Sequence, residues 1–219
     1  MSFAPIAIVG RACLLPGAHT PRELYELAQA GRTALRDAPP GRWRVPDAHV
    51  LADSPDDALD RSWTRRGGYV EGFSFDAQGY RVAAGELAGL DPIVHWIVDT
   101  GRRALADAGV LGHDAGRTGA VVGNLSLPSS GSARFAERVW LGSLAERVAL
   151  PPTDPRDRFN SGLPAQLLAR ALGLGAGAYA LDAACASSLY AIENACRALQ
   201  EHRVDRMLAG AVNHADDLF

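Results

Sequence analysis

Few side chains in this 219-residue sequence are of a type and setting to do covalent chemistry, and Cys185 leads them. It stands in Asp182-Ala183-Ala184-Cys185-Ala186-Ser187-Ser188-Leu189, between an apolar run and a helical pattern. A sulfur at the point where a strand turns into a helix is placed for nucleophilic attack. The free N–H groups and positive end of the helix stabilise a thiolate, and thiols in such places ionise below about 8.5. Small neighbours let a substrate carbonyl approach, and backbone N–H groups of the turn can hold an oxyanion. The rival reading is a buried structural cysteine, and on spacing alone it is the commoner of the two.

Other chemistries are excluded or weak. All 22 basic residues are Arg; with no Lys there is no Schiff base, no Lys general base and no P-loop lysine. The six His show no metal-binding spacing, so no metal is expected. His95 reads as packed or at the surface, and His214, beside Asp216 and Asp217, as a solvated end of the chain. The cluster Gly173, Gly175, Gly177 precedes a strand instead of following one, which defeats a phosphate cradle. After Gly10-Arg11-Ala12, Leu15 and Pro16 spoil a dinucleotide turn. Arg65-Arg66 and Arg102-Arg103 read as solvated faces, with docking of an acidic carrier protein as the alternative. Trp96 and Trp140 fall at core spacing.

Composition supports an ordinary globular protein, 47% hydrophobic and 21% charged. A formal charge of −3 argues against a nucleic-acid or anionic-membrane surface. Three Cys without C-x-x-C spacing point to a reducing, cytoplasmic setting. No run approaches the roughly 18 apolar residues of a membrane span, and Met1 to Pro5 has no basic region of a secretory signal.

The elements that must position Cys185 follow from periodicity. Pro5–Gly10 (PIAIVG), Thr118–Gly123 (TGAVVG), Ala178–Ala183 (AYALDA) and Arg206–Val212 (RMLAGAV) read as buried strands, and Gly68–Phe75 as a short one. Helices are predicted from Pro21 to Ala30, with Thr20 as N-cap, and from Pro92 to a stop at Gly109. Ser132–Val148 reads as an amphipathic helix burying Phe135, Val139, Trp140, Leu144 and Val148. Helices are also predicted over Asn160–Leu172 and Ala186–Glu201, the last with Leu189, Ile192, Cys196 and Leu199 as its apolar stripe. The proline-rich stretch 36–66 reads as an irregular excursion pinned by Trp43, Val45, Val50, Leu51 and Trp63. Alternating strands and helices give an α/β domain.

The Cys185 segment resembles the nucleophile motif of the β-ketoacyl synthases, Asp-Thr-Ala-Cys-Ser-Ser-Ser-Leu, with Ala183 and Ala186 replacing Thr and the first Ser. The resemblance runs nearly end to end: Ile6–Gly10 with Cys13, Pro16 and Gly17; Pro21–Gly31; Phe75-Asp76 and Leu90-Asp91-Pro92; and Leu208–Asn213. The family's Gln-Gln-Arg after the Asp-Pro is replaced by Ile93-Val94-His95.

This resemblance implies an α/β, thiolase-like fold: the N-terminal half, a mixed sheet with flanking helices and a buried nucleophile helix. It implies a homodimer paired through Ala178–Ala183, an exposed edge that favours such pairing. It implies Cys185 as nucleophile, with its own backbone N–H as an oxyanion donor. The chemistry would be acylation by a thioester, then decarboxylative Claisen condensation with a malonyl-type unit, in polyketide or fatty acid synthesis. No cofactor is bound in the family; phosphopantetheine-linked substrates arrive on acyl carrier protein. The family's catalytic His residues, supporting Lys and second oxyanion donor lie in its second half. Residues 1–219 are therefore expected to be a truncated half-domain, inactive alone in condensation and exposing one face of its central helix. Two other readings stay open: a non-catalytic half kept as an interaction module, and a cysteine-dependent thioester hydrolase using a distant His.

Overall fold

The computed structural model describes residues 4–214 except 44, 58 and 126–128. These fall into two compact units, one of residues 13–74, the other of 4–12 with 75–214.

In the smaller unit, α1 (Pro21–Gln29) begins where the sequence places it. Thr20 Oγ1 accepts the Glu23 N–H at 3.2 Å, and the Glu23 carboxylate accepts the N–H groups of Thr20 and His19 at 3.0 and 2.7 Å. This reciprocal cap satisfies amides that the helix itself leaves unpaired. β1 (Arg36–Asp37) pairs antiparallel with β2 (Arg66–Gly67), flanking the short α2 (Asp47–Val50). The expected strand over 68–75 is absent; pairing ends at Gly67. Trp63 and Val45 do not pin the excursion, since both are exposed. Tyr69 is buried instead, its hydroxyl donating to the Arg65 carbonyl at 3.0 Å.

The larger unit runs through α3 (Ala84–Leu87), α4 (Pro92–Asp107), β3 (Thr118–Leu125), α5 (Ser130–Leu141), α6 (Leu144–Arg147), α7 (Leu163–Leu172), β4 (Ala178–Leu181), α8 (Ser187–Gln200) and β5 (Arg206–Asn213). Its sheet has the order β4-β3-β5. Both pairings are parallel, with Val121 opposite Tyr179 on one side and Ala209 on the other. The expected mixed sheet is thus wholly parallel in this ladder, because each strand returns through a helix. Strand alternation divides the packing. Ala120 and Val122 join Ile93, Val94, Ile97, Val98, Leu167 and Leu168 in the core formed with α4 and α7. On the other face Gly123 meets α8: a Cβ there would come within 2.7 Å of Ser187 Cβ, so only glycine lets the helix start this close.

Three further expectations for this unit fail. Residues 5–10 join no ladder, and Ile8 and Val9 are 84% and 65% exposed. The ladder holds β4, β3 and β5 alone among the described residues, and nothing in the structure explains why this apolar run stays off its edges. The helix predicted over 132–148 is broken at Gly142, whose φ of 52° and ψ of −125° no helix can carry. Its stripe is inverted as well. Gly131, Ala133 and Ala145 are buried, while Val139, Leu144 and Val148 are exposed and Trp140 is 86% exposed. The helix predicted from Asn160 begins only at Leu163, after a 3₁₀ turn over Pro155–Phe159.

Candidate active site

Cys185 lies where the sequence places it, between the end of β4 and the start of α8. Residues Ala184–Ala186 form a single 3₁₀ turn, and the thiol is free and exposed. The turn is held from both sides. Asp182 Oδ1 accepts the Ala184 N–H at 2.8 Å. The buried Ser187 hydroxyl accepts the Ala183 N–H and donates to the Ala184 carbonyl, each at 2.8 Å. Ala184 takes φ +49°, a left-handed conformation costing an L-residue roughly 1–2 kcal/mol. Two hydrogen bonds through one hydroxyl, with a net value of about 1 kcal/mol each, offset that strain. Ser187 is therefore the residue that fixes the Cys185 backbone; its position two residues after the Cys, at the first turn of a predicted helix, was the signal available for it.

α8 carries Cys185 on a platform of small residues. Ser187, Ala191, Ala195 and Ala198 are buried against β3 and β5. The stripe predicted to face the core is only partly covered: Leu189 is 68% exposed and Ile192 about half, while Cys196 and Leu199 are half-buried. The helix is not buried on both sides, because the sheet covers only one. Glu193 and Arg197 pair along the open face at 2.6 Å, and the Asn194 amide donates to the Tyr190 carbonyl at 2.8 Å. Beside the turn, the first-turn amides of α8 favour negative charge.

No described side chain hydrogen-bonds the Cys185 sulfur, so no described histidine completes a Cys-His pair. His95 is packed as expected, stacked on Phe75 at 4.3 Å between ring centroids and bonded to the Leu87 carbonyl at 2.8 Å. His214 corrects the sequence reading. It is buried, edge-on to Trp96 at 4.6 Å, with Nδ1 3.8 Å from Asp91 Oδ1. The position in sequence suggested solvent; burial arises because β5 ends beside the cap of α4.

That cap belongs to a buried polar cluster that spacing did not reveal. Asp91 Oδ1 accepts the Ile93 N–H at 2.9 Å, and Oδ2 accepts the Gly131 N–H at 2.6 Å and the Asn160 amide at 3.2 Å. Asn124, at the end of β3, donates to the carbonyls of Asn160 and Ser161. A Cβ on Gly131 would lie 2.7 Å from Asp91 Oδ2 and 2.8 Å from Asp157 Oδ1, so the two carboxylates share one small space. Burial works to raise the Asp91 carboxyl, but hydrogen bonds from His214, Ile93, Ser129 and Gly131 outweigh it and hold it below its ordinary value. Burial, with the neighbouring Asp91 and Asp154 charges, pushes Asp157 up to about 6. Asp157 and Asp91 are 66 positions apart in the numbering, and nothing in either local pattern links them.

Among the described residues no group of three His, Cys, Asp or Glu is arranged to hold a metal ion, and no helix is long and apolar enough to cross a membrane.

Comparison with known proteins gives one answer. Residues 4–216 match the family described as "Beta-ketoacyl synthase, N-terminal domain". A PKS-NRPS hybrid synthetase of Aspergillus candidus is 33% identical over 213 residues, which are 95% of this chain and 8% of that synthetase. A mycocerosic acid synthase-like polyketide synthase of Mycolicibacterium smegmatis is 32% identical, covering 96% of this chain and 10% of its own. Among solved structures, a keto synthase–chain length factor protein (PfaC) superposes with a TM-score of 0.86 at 33% identity, over 96% of this chain and 24% of that one. An oxazolomycin ketosynthase domain of Streptomyces albus, 24% identical with a TM-score of 0.73, shares the fold over 95% of this chain and 35% of its own. The chain thus spans about a tenth of these polyketide synthases and about a quarter to a third of the ketosynthase structures.

Proposed function

Since the chain belongs to the β-ketoacyl synthase family, as its N-terminal domain, we propose that Cys185 is the acyl-accepting nucleophile of a polyketide-type condensing enzyme. The Cys185 sulfur attacks the carbonyl of an acyl thioester. A carbon–sulfur bond forms to Cys185, the bond to the carrier thiol breaks, and that thiol leaves with the proton. The Cys185 N–H donates to the oxyanion formed on the way. A malonyl-type thioester then loses CO₂, and its carbanion attacks the acyl-Cys carbonyl. The new carbon–carbon bond replaces the carbon–sulfur bond, and the thiolate returns.

The observation that carries this reading is the exposed thiol on a rigidly tied turn, with open surface in front and a helix N-terminus behind. The partner in this reading is an acyl carrier protein delivering phosphopantetheine-linked acyl and malonyl-type units, with no cofactor bound to this chain. Two copies would pair through the free edge of β4, and a C-terminal half would cover Leu189 and Ile192. The family's histidines for decarboxylation belong to that half, so the 219-residue chain alone is expected to acylate but not to condense.

The test is intact-mass analysis after incubation with a short acyl-pantetheine thioester. One acyl group should add, on Cys185, and none should add to C185A. Absence of any adduct would favour a non-catalytic half, and continuous release of acid would favour a hydrolase.

A further inference from the structure

Cys185 follows the C-terminal end of the parallel strands. A second feature sits at their N-terminal end, where β3 opens with Thr118 and β5 with Arg206. A cavity of about 150 Å³ lies there, lined on its polar side by Arg81, Arg102, His113, Thr118 and Arg206, and no carboxylate lines it. Three arginines line this space, and none of them forms an ion pair with a described carboxylate. Arg206 donates to the Asp114 carbonyl, and Arg102 to the Gln78 carbonyl at 3.0 Å while lying 4.9 Å over the Tyr80 ring. Arg81 lies against Gly173. Backbone carbonyls and rings satisfy some N–H groups but neutralise no charge. The acids nearby are committed elsewhere: Asp99 to Arg103, Asp205 to Arg117, Asp76 to the Gln78 N–H and Asp114 to the Gly116 N–H. Thr118 is only 2% exposed, and its hydroxyl has no hydrogen-bond partner.

We propose that this cavity binds a phosphate group. Like charges held together in a concavity repel, and a bound dianion removes that cost. Guanidinium forks match tetrahedral oxyanions bidentately, and the orphan Thr118 hydroxyl adds a donor. The volume takes one phosphate; it is well below the roughly 300 Å³ at which pockets for larger ligands begin. The group is either inorganic phosphate or the terminal phosphomonoester of a small molecule whose remainder stays in solvent. The site is independent of the role of Cys185.

Calorimetric titration of the full chain with inorganic phosphate at low ionic strength tests it, with a second arm using glycerol 3-phosphate. Saturable 1:1 binding is expected, weakened about tenfold or more by Arg81→Met or Arg102→Met. Met keeps the aliphatic stem, so packing survives loss of charge. Thr118→Val should weaken binding several-fold, and Arg147→Ala, outside the cavity, should leave it unchanged. Binding of both titrants assigns an ester phosphate; binding of phosphate alone assigns the free anion. No saturable binding, or binding that persists equally in folded R81M and R102M, overturns the proposal.

Discussion

The two faces of the parallel sheet are built on opposite plans. Toward α4 and α7, large aliphatic side chains interlock: Ile93, Val94, Val98 and Leu168 are buried almost completely. The same side ends in Asp91, Asp157 and Asn160, which are also removed from water. Toward α8, the helix itself buries only small residues, beside the fully buried Val121 of β3, while Leu189, Tyr190 and Ile192 are exposed. The difference teaches that α8 is not held by the bulk of its apolar residues. It is held by closeness, since Ala191, Ala195 and Gly123 let helix and strand approach, and that closeness fixes the height of the Cys185 turn. The aliphatic face supplies stability, and the alanine face supplies position.

Breaking the aliphatic face should cost most. Leu168→Ala is expected to lose about 2–5 kcal/mol in urea unfolding, through transfer and cavity terms together. The matching truncation on the open side of α8, Ile192→Ala, should change stability by less than about 0.5 kcal/mol. Equal losses at the two positions would show that the faces are not distinct.

The buried carboxylates sharpen the contrast through pH. Asp157 has a folded value of about 6, above its ordinary 3.8. Its protonated form is favoured in the folded state. That contribution is fully present below the unfolded value and is lost as pH rises through about 6, a span worth up to roughly 3 kcal/mol. Asp91, held below its ordinary value, works the other way: its contribution is present above that value and is lost only as pH falls through its lowered one. Between pH 4.5 and 7.5 the melting temperature should therefore fall, and Asp157→Asn should flatten that slope. An unchanged slope in D157N would remove Asp157 from the account.

Enlarging the small face should have the next effect. Ala195→Leu is expected to cost about 1–3 kcal/mol by overpacking and to slow Cys185 acylation, because lifting α8 moves the turn. A smaller loss of stability, about 1–2 kcal/mol, is expected from Ser187→Ala, which leaves the Ala183 N–H without its partner. Its larger consequence is kinetic: slower acylation in the mass assay with the C185A baseline unaffected. A variant that acylates at the wild-type rate would show that the hydroxyl does not position the sulfur.

Local patterns announced much of this molecule. Thr20 and Glu23 mark the start of α1, Asp91-Pro92 the start of α4, and the strand–turn–helix around Cys185 lies where its small residues place it. The misassigned core residues share one cause. Periodicity states which residues share a face but not whether a neighbour meets that face. Leu189 and Ile192, Val139 and Trp140, and Ile6 to Val9 all read as core, and the described structure leaves each group exposed or half-exposed.

The sequence by itself determined the order of the elements, the cap residues and the placing of a lone thiol between a strand and a helix, because caps and turns depend on neighbours a few positions away. Only the tertiary structure decided which face of α8 meets the sheet, that Asp91 and Asp157 share one buried space, and that Arg81, Arg102 and Arg206 line one cavity with Thr118. Those facts join residues tens of positions apart, and such contacts are set by how strands order themselves in the sheet and which helix covers each side.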